Sequence, residues 1–242
     1  HKFLDRLYLN TGAGRFVDVT EVCGVAENRF SQGVTVGDFD SDGFADIMVA
    51  NIGQNRLYRN NGDGTYRDIS GEIGFDRSDW TTSCAIADLS GDANPELYAV
   101  NYLQGSDLFT RACGPHDDRV CLPQHFSAAT DRLFLNGGNE SFRDITVSSG
   151  CDVADGKGLG VVIGAFGDSS ALNVFVANDT VANYYFKNQG DTENGIPKFH
   201  EIGIVSGLSL SGTGSVQACM GVAAGDADGD GATDLFVTNF HG

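Results

Sequence analysis

Asp38, Asp40, Asp42 and Asp46 fall within nine consecutive positions of the stretch GDFDSDGFADIMVAN, residues 37–51. Four like charges this close repel, each pair at about 4 Å costing roughly 4 kcal/mol at an effective dielectric of 20. Such a loop either stays solvated or holds a cation. Alternate acids on a tight turn can aim their carboxylates inward, which suits a Ca2+ ion with its shell of about 6–8 oxygens. Gly43 permits the sharp turn. The backbone carbonyl of Phe44 is the expected further ligand, and Asp46 closes the set as an apolar run begins. The pattern returns in full as Asp226, Asp228, Asp230 and Asp234, with Gly231 at the turn and the Ala232 carbonyl in the place of Phe44.

The spacing excludes an EF-hand, which needs a bidentate Glu at position 12 and flanking helices. Val49 and Val237 stand there, inside β-like runs. Mg2+ keeps its waters and fits an all-protein cage poorly. The competing reading is a solvated acidic turn, against which two copies share the whole spacing. A second loop, Asp88, Ser90, Asp92, Asn94 and Glu96, keeps oxygen donors but has Ala93 at the turn glycine. It is expected to bind calcium less well. A third has Ala165, Gly167, Ser169 and Asn173 at the aligned positions, with only Asp168 acidic. It is expected to bind none, so the β pattern persists without the acids.

These loops sit in a repeat, and self-similarity at a fixed period decides the fold. An Asp-rich phrase that turns apolar reads VGDFDSDGFADIMVAN, IADLSGDANPELYAVN, IGAFGDSSALNVFVAN and AGDADGDGATDLFVTN. It alternates with a hairpin phrase: DRLYLNTGAGRFVDVT from residue 5, NRLYRNNGDGTYRDIS from 55, DRLFLNGGNESFRDIT from 131, and a looser copy from 183. The hairpin phrase is two short β runs around an Asn/Gly/Asp turn. Small apolar runs such as QGVTV, CAIA, GVVIG and MGVAAG precede the loops and suit inner strands crowded at an axis. Each unit predicts about four short strands and no helix, the unit of a β-propeller.

The fold class is therefore all-β, a β-propeller with four repeat units within residues 1–242. An insert, roughly residues 103–130, delays the third hairpin phrase and carries Cys113, Cys121, His116 and His125. Long loops in compact domains tend to carry function. The chain opens on a hairpin half and ends on an Asp-rich half. Either the two halves close a four-bladed ring, or the chain is part of a larger one; the second is the expectation.

Composition narrows the partners. Acids outnumber bases 33 to 15, a net charge of −18, which disfavours nucleic acid and anionic membranes as partners. The 33 glycines with only 4 prolines read as turn residues rather than linker. No run is long enough to span a membrane. The opening HKFLDRLYLN has no apolar signal core, as in a mature secreted form or a fragment of a longer precursor. Six cysteines form no CxxC pair, and Cys113 and Cys121 bracket the turn-rich CGPHDDRVC, where a local disulfide is expected. Weak extracellular calcium sites, with dissociation constants of about 10⁻⁴–10⁻³ M, fill only where free calcium is plentiful, so the setting expected is extracellular, cell-surface or periplasmic.

The phrases GDxDxDGxxDLxVxN and NxLYxNNGDGTFxDV resemble the FG-GAP/VCBS repeats of integrin-like β-propellers over nearly the whole chain. More narrowly, VFVANDTVANYYFKNQGD, QACMGVAAGDADGDGATDLFVTNF and the CGP…CLP insert look like the bacterial relatives of cartilage acidic protein, the ASPIC/UnbV group. The resemblance implies a seven-bladed ring, calcium in the Asp-rich loops and secreted or surface-bound proteins, with no catalytic motif to carry over.

Catalytic motifs are lacking: no GxSxG, HExxH or P-loop occurs. His1, His116, His125, His200 and His241 lack metal-ligand spacing, and Trp80 and Tyr102 fit either a carbohydrate surface or blade packing. Asn139 and Asn178 fit the glycosylation sequon. The function expected is a non-enzymatic, calcium-stabilised module that binds a protein or glycan at a cell surface or serves surface assembly. The alternative is a lyase-like propeller enzyme acting on polysaccharide, for which bases are scarce and scattered.

Overall fold

The computed structural model describes residues 4–75, 78–116, 119–138, 140–167 and 170–240. The expectations placed on His1, Asn139, Asp168, Ser169 and His241 lie outside them. The chain begins with a hairpin, β1 (Tyr8–Gly12) and β2 (Arg15–Asp18), and a single turn of helix, α1 (Thr20–Cys23). The first full blade is β3 (Phe30–Gly37), β4 (Asp46–Gly53), β5 (Arg56–Asn60) and β6 (Tyr66–Asp68). The second begins with β7 (Asp79–Ala87) and β8 (Glu96–Asn101). The insert then adds β9 (Leu103–Gln104), β10 (Ala112–Cys113), β11 (Arg119–Val120) and β12 (Ser127–Ala128), and β13 (Arg132–Asn136) and β14 (Phe142–Asp144) complete the blade. After α2 (Thr146–Ser149) comes the third: β15 (Gly158–Gly164), β16 (Asn173–Asn178), β17 (Tyr184–Glu193) and β18 (Ile196–Glu201). Last come α3 (Gly203–Ser206) and the pair β19 (Ala218–Gly225) and β20 (Asp234–Phe240).

This is the nearly all-β, propeller-like architecture that the repeats predict, with one difference. Three of the four hairpin phrases run on into a one-turn helix where no helix was expected, and the phrase from residue 55 runs into a turn at 70–75. The reason is local. Asp18 accepts hydrogen bonds from the amide and hydroxyl of Thr20, and the Thr20 hydroxyl accepts from the Leu7 amide. Asp68 with Ser70 and Asp144 with Thr146 repeat the arrangement. Side-chain to backbone bonds of this kind turn the chain as it leaves the outer strand.

Within each full blade neighbouring strands are antiparallel, and β4 also reaches β7 at its end, through Ile52 opposite Trp80 and Gly53 opposite Asp79. The inner strands β3, β7, β15 and β19 follow one another around the axis. Space there is short: a Cβ on Gly33 would lie 2.6 Å from the Thr82 carbonyl oxygen of the next blade. β1–β2 and β19–β20 form separate two-stranded sheets at the two ends of the arc, and β1 does not pair with β20. Val34, Val36 and Phe30 are exposed at one end, Phe236 and Phe240 at the other.

Among the described residues four apolar layers fill the spaces between successive sheets. Leu7 and Val19 pack on Val25, Val49 and Tyr58; Met48, Leu57 and Ile69 on Leu97, Ala99 and Phe134. Tyr98, Val100 and Leu133 pack on Val174, Val176 and Phe186; Phe175 and Tyr185 on Val222, Leu235 and Val237. Alternation along a strand sends Leu97 and Ala99 to one layer and Tyr98 and Val100 to the next, so β8 is buried on both faces. The unpaired cysteines Cys23, Cys84, Cys151 and Cys219 are buried, one in each layer, where a thiol serves as a small apolar group.

Candidate metal centres

Loop 38–46 joins β3 to β4 at one end of the first blade. Asp38 accepts the amides of Asp42 and Gly43 at 3.1 and 2.8 Å, and Asp42 accepts that of Phe44 at 2.9 Å. Gly43 takes φ 90°, the left-handed turn its type allows. The fold gathers Asp38, Asp40 and Asp42 so that one carboxylate oxygen from each lies within 4.8 Å of the others. Asp40 Oδ1 is buried without a hydrogen-bond partner, and Oδ2 is buried against Arg59 Nε at 2.6 Å. Burial raises the Asp40 pKa, against the opposing charge of Arg59, and the like charge of Asp42 adds to it. A buried carboxylate oxygen with no donor, among gathered acids, is what a hard cation seeks, so these residues fit calcium.

Asp46 is placed differently. It is fully buried, with Oδ2 accepting the Phe39 amide at 3.0 Å and Oδ1 accepting the Asn60 amide at 2.8 Å. Burial pushes its pKa up to about 6, against those hydrogen bonds, with help from the charges of Asp40 and Asp42. It ties the loop to β5 as well as facing the acids. Phe44 stacks its ring where a Cβ on Gly62 would sit.

In loop 226–234 the gathered set is Asp226, Asp228 and Asp234, all exposed. Asp226 accepts the amides of Gly229 and Gly231, and Asp230 turns back to accept that of Ala232. Loop 88–96 brings no three acids together in this way. Asp88 accepts the amides of Gly91, Asp92 and Ala93, Asp92 accepts that of Asn94, and Ser90 bonds to Glu96 at 3.2 Å. Glu96 is buried and accepts the Leu89 and Ser90 amides. Burial lifts its pKa to about 7 against those bonds, with the charge of Asp92 adding.

The ninth position therefore has a structural task in every loop. Asp46, Glu96 and Asp234 each accept an amide from the start of their loop. In the loop without the acid pattern Asn173 does the same work uncharged: it donates to the Phe166 carbonyl at 3.1 Å and accepts the Asn188 amide at 2.9 Å.

Sequence reasoning missed the groups that hold these loops from outside. Asn136, on the second blade, donates to the Phe39 carbonyl of loop 38–46 at 2.7 Å, and Asn188, on the third, donates to the Leu89 carbonyl at 2.9 Å. The asparagine of each LYxN phrase was the available signal. Arg59 was missed as well. Its Nε lies 2.6 Å from Asp40 and its Nη2 3.6 Å from Asp42.

The insert folds over the second blade, and Cys113 and Cys121 are bonded as expected. Trp80 meets Tyr102 edge-on at 5.3 Å and lies 5.4 Å from Phe109, while Arg111 sits over Phe126. Together with Arg119 these residues line a cavity of about 680 Å³. The Trp80 Nε1 is buried without a hydrogen-bond partner. The Tyr102 hydroxyl donates to Asp179, and burial, then that bond and the Asp179 charge, hold its pKa far above the usual phenol range. His116 and His125 are exposed. Asn178 is buried and donates to the Ala182 carbonyl, which removes it as a glycan acceptor in the folded chain.

Residues 5–49 and 38–99 match the family model of the FG-GAP-like repeat. Among curated proteins none matches the chain. No helix among the described residues is long and apolar enough to cross a membrane.

Proposed function

We propose that this chain is a calcium-binding, non-enzymatic module of propeller type that works outside the cytosol and presents a binding surface to a protein or glycan. Within the FG-GAP-like repeats we place it nearest the ASPIC/UnbV group, on the insert and the VFVAN and QACMGVAAGDADGDG phrases. One observation carries the metal reading: two loops far apart in sequence each gather three carboxylates within 4.8 Å, and in one of them Asp40 Oδ1 is buried without a donor. Asp38, Asp40 and Asp42 would hold one ion, and Asp226, Asp228 and Asp234 another. Bound calcium would neutralise the clustered charge and fix each turn. At about 1 mM free calcium, a site with a dissociation constant of 10⁻⁴ M stabilises the fold by roughly 1.4 kcal/mol.

The cavity under the insert supports partner binding there, since aromatic faces beside cationic groups suit a sugar or a peptide side chain. A polysaccharide lyase is the second reading, on the strength of Arg111 and Arg119 in that cavity. Tyr102, held protonated by Asp179, would be a poor proton-abstracting base. Calcium titration by calorimetry tests the metal reading: binding is expected, with separate components lost in Asp40→Ala and Asp228→Ala. A glycan array read with and without chelator, beside an ultraviolet assay for unsaturated sugar products, separates binder from lyase. Product formation would overturn the non-enzymatic reading.

A further inference from the structure

Arg59 joins loop 38–46 to the neighbouring blade. Its Nε contacts Asp40, and its Nη1 donates to Glu140 Oε1 at 2.8 Å. Glu140 stands in the turn between β13 and β14 of the second blade, where Arg67 also holds it, with Nη2 2.8 Å from both oxygens. Burial favours the neutral form of Glu140, but the bonds and charges of Arg67 and Arg59 outweigh it and keep the pKa below the usual value. One guanidinium thus lies between two sets of carboxylates, the loop acids of its own blade and Glu140 of the next.

The hairpin phrase does not demand a cation here. At the position of Arg59 the other copies carry Leu9, Leu135 and Lys187. Among the described residues no Lys or Arg pairs with Asp226, Asp228, Asp230 or Asp234. Arg59 is therefore particular to loop 38–46, and it occupies the carboxylate that a metal ion would need.

We propose that Arg59 is a tethered competitor of calcium at loop 38–46, which lowers the affinity of that loop and passes to Glu140 when the ion binds. The proposal rests on the calcium reading given above. A divalent ion among Asp38, Asp40 and Asp42 repels a guanidinium held in contact with two of them. At about 5 Å, even with water-like screening, that repulsion is worth on the order of tenfold in affinity. Glu140 supplies a second resting place, so the displaced charge need not go unpaired. The site then reports its occupancy across the boundary between two blades.

The test is calcium titration calorimetry on the whole chain at low salt, in an Asp228→Ala background so that loop 226–234 contributes nothing. Arg59→Leu, the residue found at two of the aligned positions, is expected to tighten the Asp40-dependent component about tenfold. Arg59→Lys keeps the charge and is expected to stay near the parent. Glu140→Gln, which leaves Arg59 to the loop acids, is expected to weaken binding several-fold. A purely structural role would weaken binding in both Arg59→Leu and Glu140→Gln. An Asp40-dependent component that Arg59→Leu leaves unchanged or weakens overturns the proposal alone. If no component depends on Asp40, the calcium reading of this loop fails and takes the proposal with it. Should Arg59→Leu fold poorly, Arg59→Gln gives the same readout with its hydrogen bonds retained.

Discussion

The Asn136 amide, on the second blade, donates to the carbonyl of Phe39, on the first, at 2.7 Å and fully out of solvent. The same amide nitrogen lies 3.2 Å from the Pro95 carbonyl of its own loop. One side chain therefore fixes two Asp-rich loops relative to each other, and Asn188 repeats the device between Leu89 and Leu172. Asn136→Ala leaves the buried Phe39 carbonyl and the part-buried Pro95 carbonyl short of a donor. A loss of about 1–3 kcal/mol is expected, read as a lower urea midpoint. Asn136→Asp should be at least as damaging, since it replaces the donor with a buried charge.

Gly33 is fixed by its neighbour rather than by its own dihedrals. A methyl group there meets the Thr82 carbonyl oxygen at 2.6 Å, and backbone cannot swing aside. Gly33→Ala is expected to destabilise by about 1–3 kcal/mol through overpacking at the axis. Gly71→Ala, in open space, should change the melting temperature little.

Calcium removal should lower the melting temperature by several degrees, since about 1 kcal/mol shifts a chain of this size by roughly 2–4 °C. Asp40→Ala and Asp228→Ala should each abolish part of that shift. Ser169→Ala, in the loop whose sequence lacks the acid pattern, should leave it whole. An equal loss in all three variants would reverse the ranking of the loops.

Asp131 is buried, with one oxygen accepting the Asn101 amide at 2.8 Å and the other the Tyr98 hydroxyl at 3.1 Å. Burial raises its pKa to about 7, against both bonds. The folded chain therefore holds a proton that the unfolded chain releases near pH 4. The stability this group contributes is complete below about pH 4 and is lost as the pH rises to about 7. In chelator, stability should fall between pH 4.5 and 7.5, and Asp131→Asn should flatten that slope. Denaturant midpoints across the range provide the measurement.

Much of this was readable from the chain. The two alternating phrases set the strand order, because a period-2 apolar run and an Asn/Gly turn are local choices that each repeat makes again. The acids of loops 38–46 and 226–234 were legible for the same reason: their spacing lies within nine residues. Position-by-position alignment also separated the ungathered loop 88–96 from the two better ones. It did not reveal that the ninth-position acid clamps its own loop, since Asn173 does so without charge.

The sequence by itself determined the blade unit, the acid-rich turns and the local disulfide between Cys113 and Cys121, all settled by residues close together along the chain. Only the tertiary structure decided that Arg59 meets Asp40 and Glu140, that Asn136 reaches Phe39, and that Trp80 and Arg119 share a cavity. Those partners stand tens of residues apart. Their meeting depends on how hairpins, insert and successive sheets pack in space, and no short stretch of sequence encodes that packing.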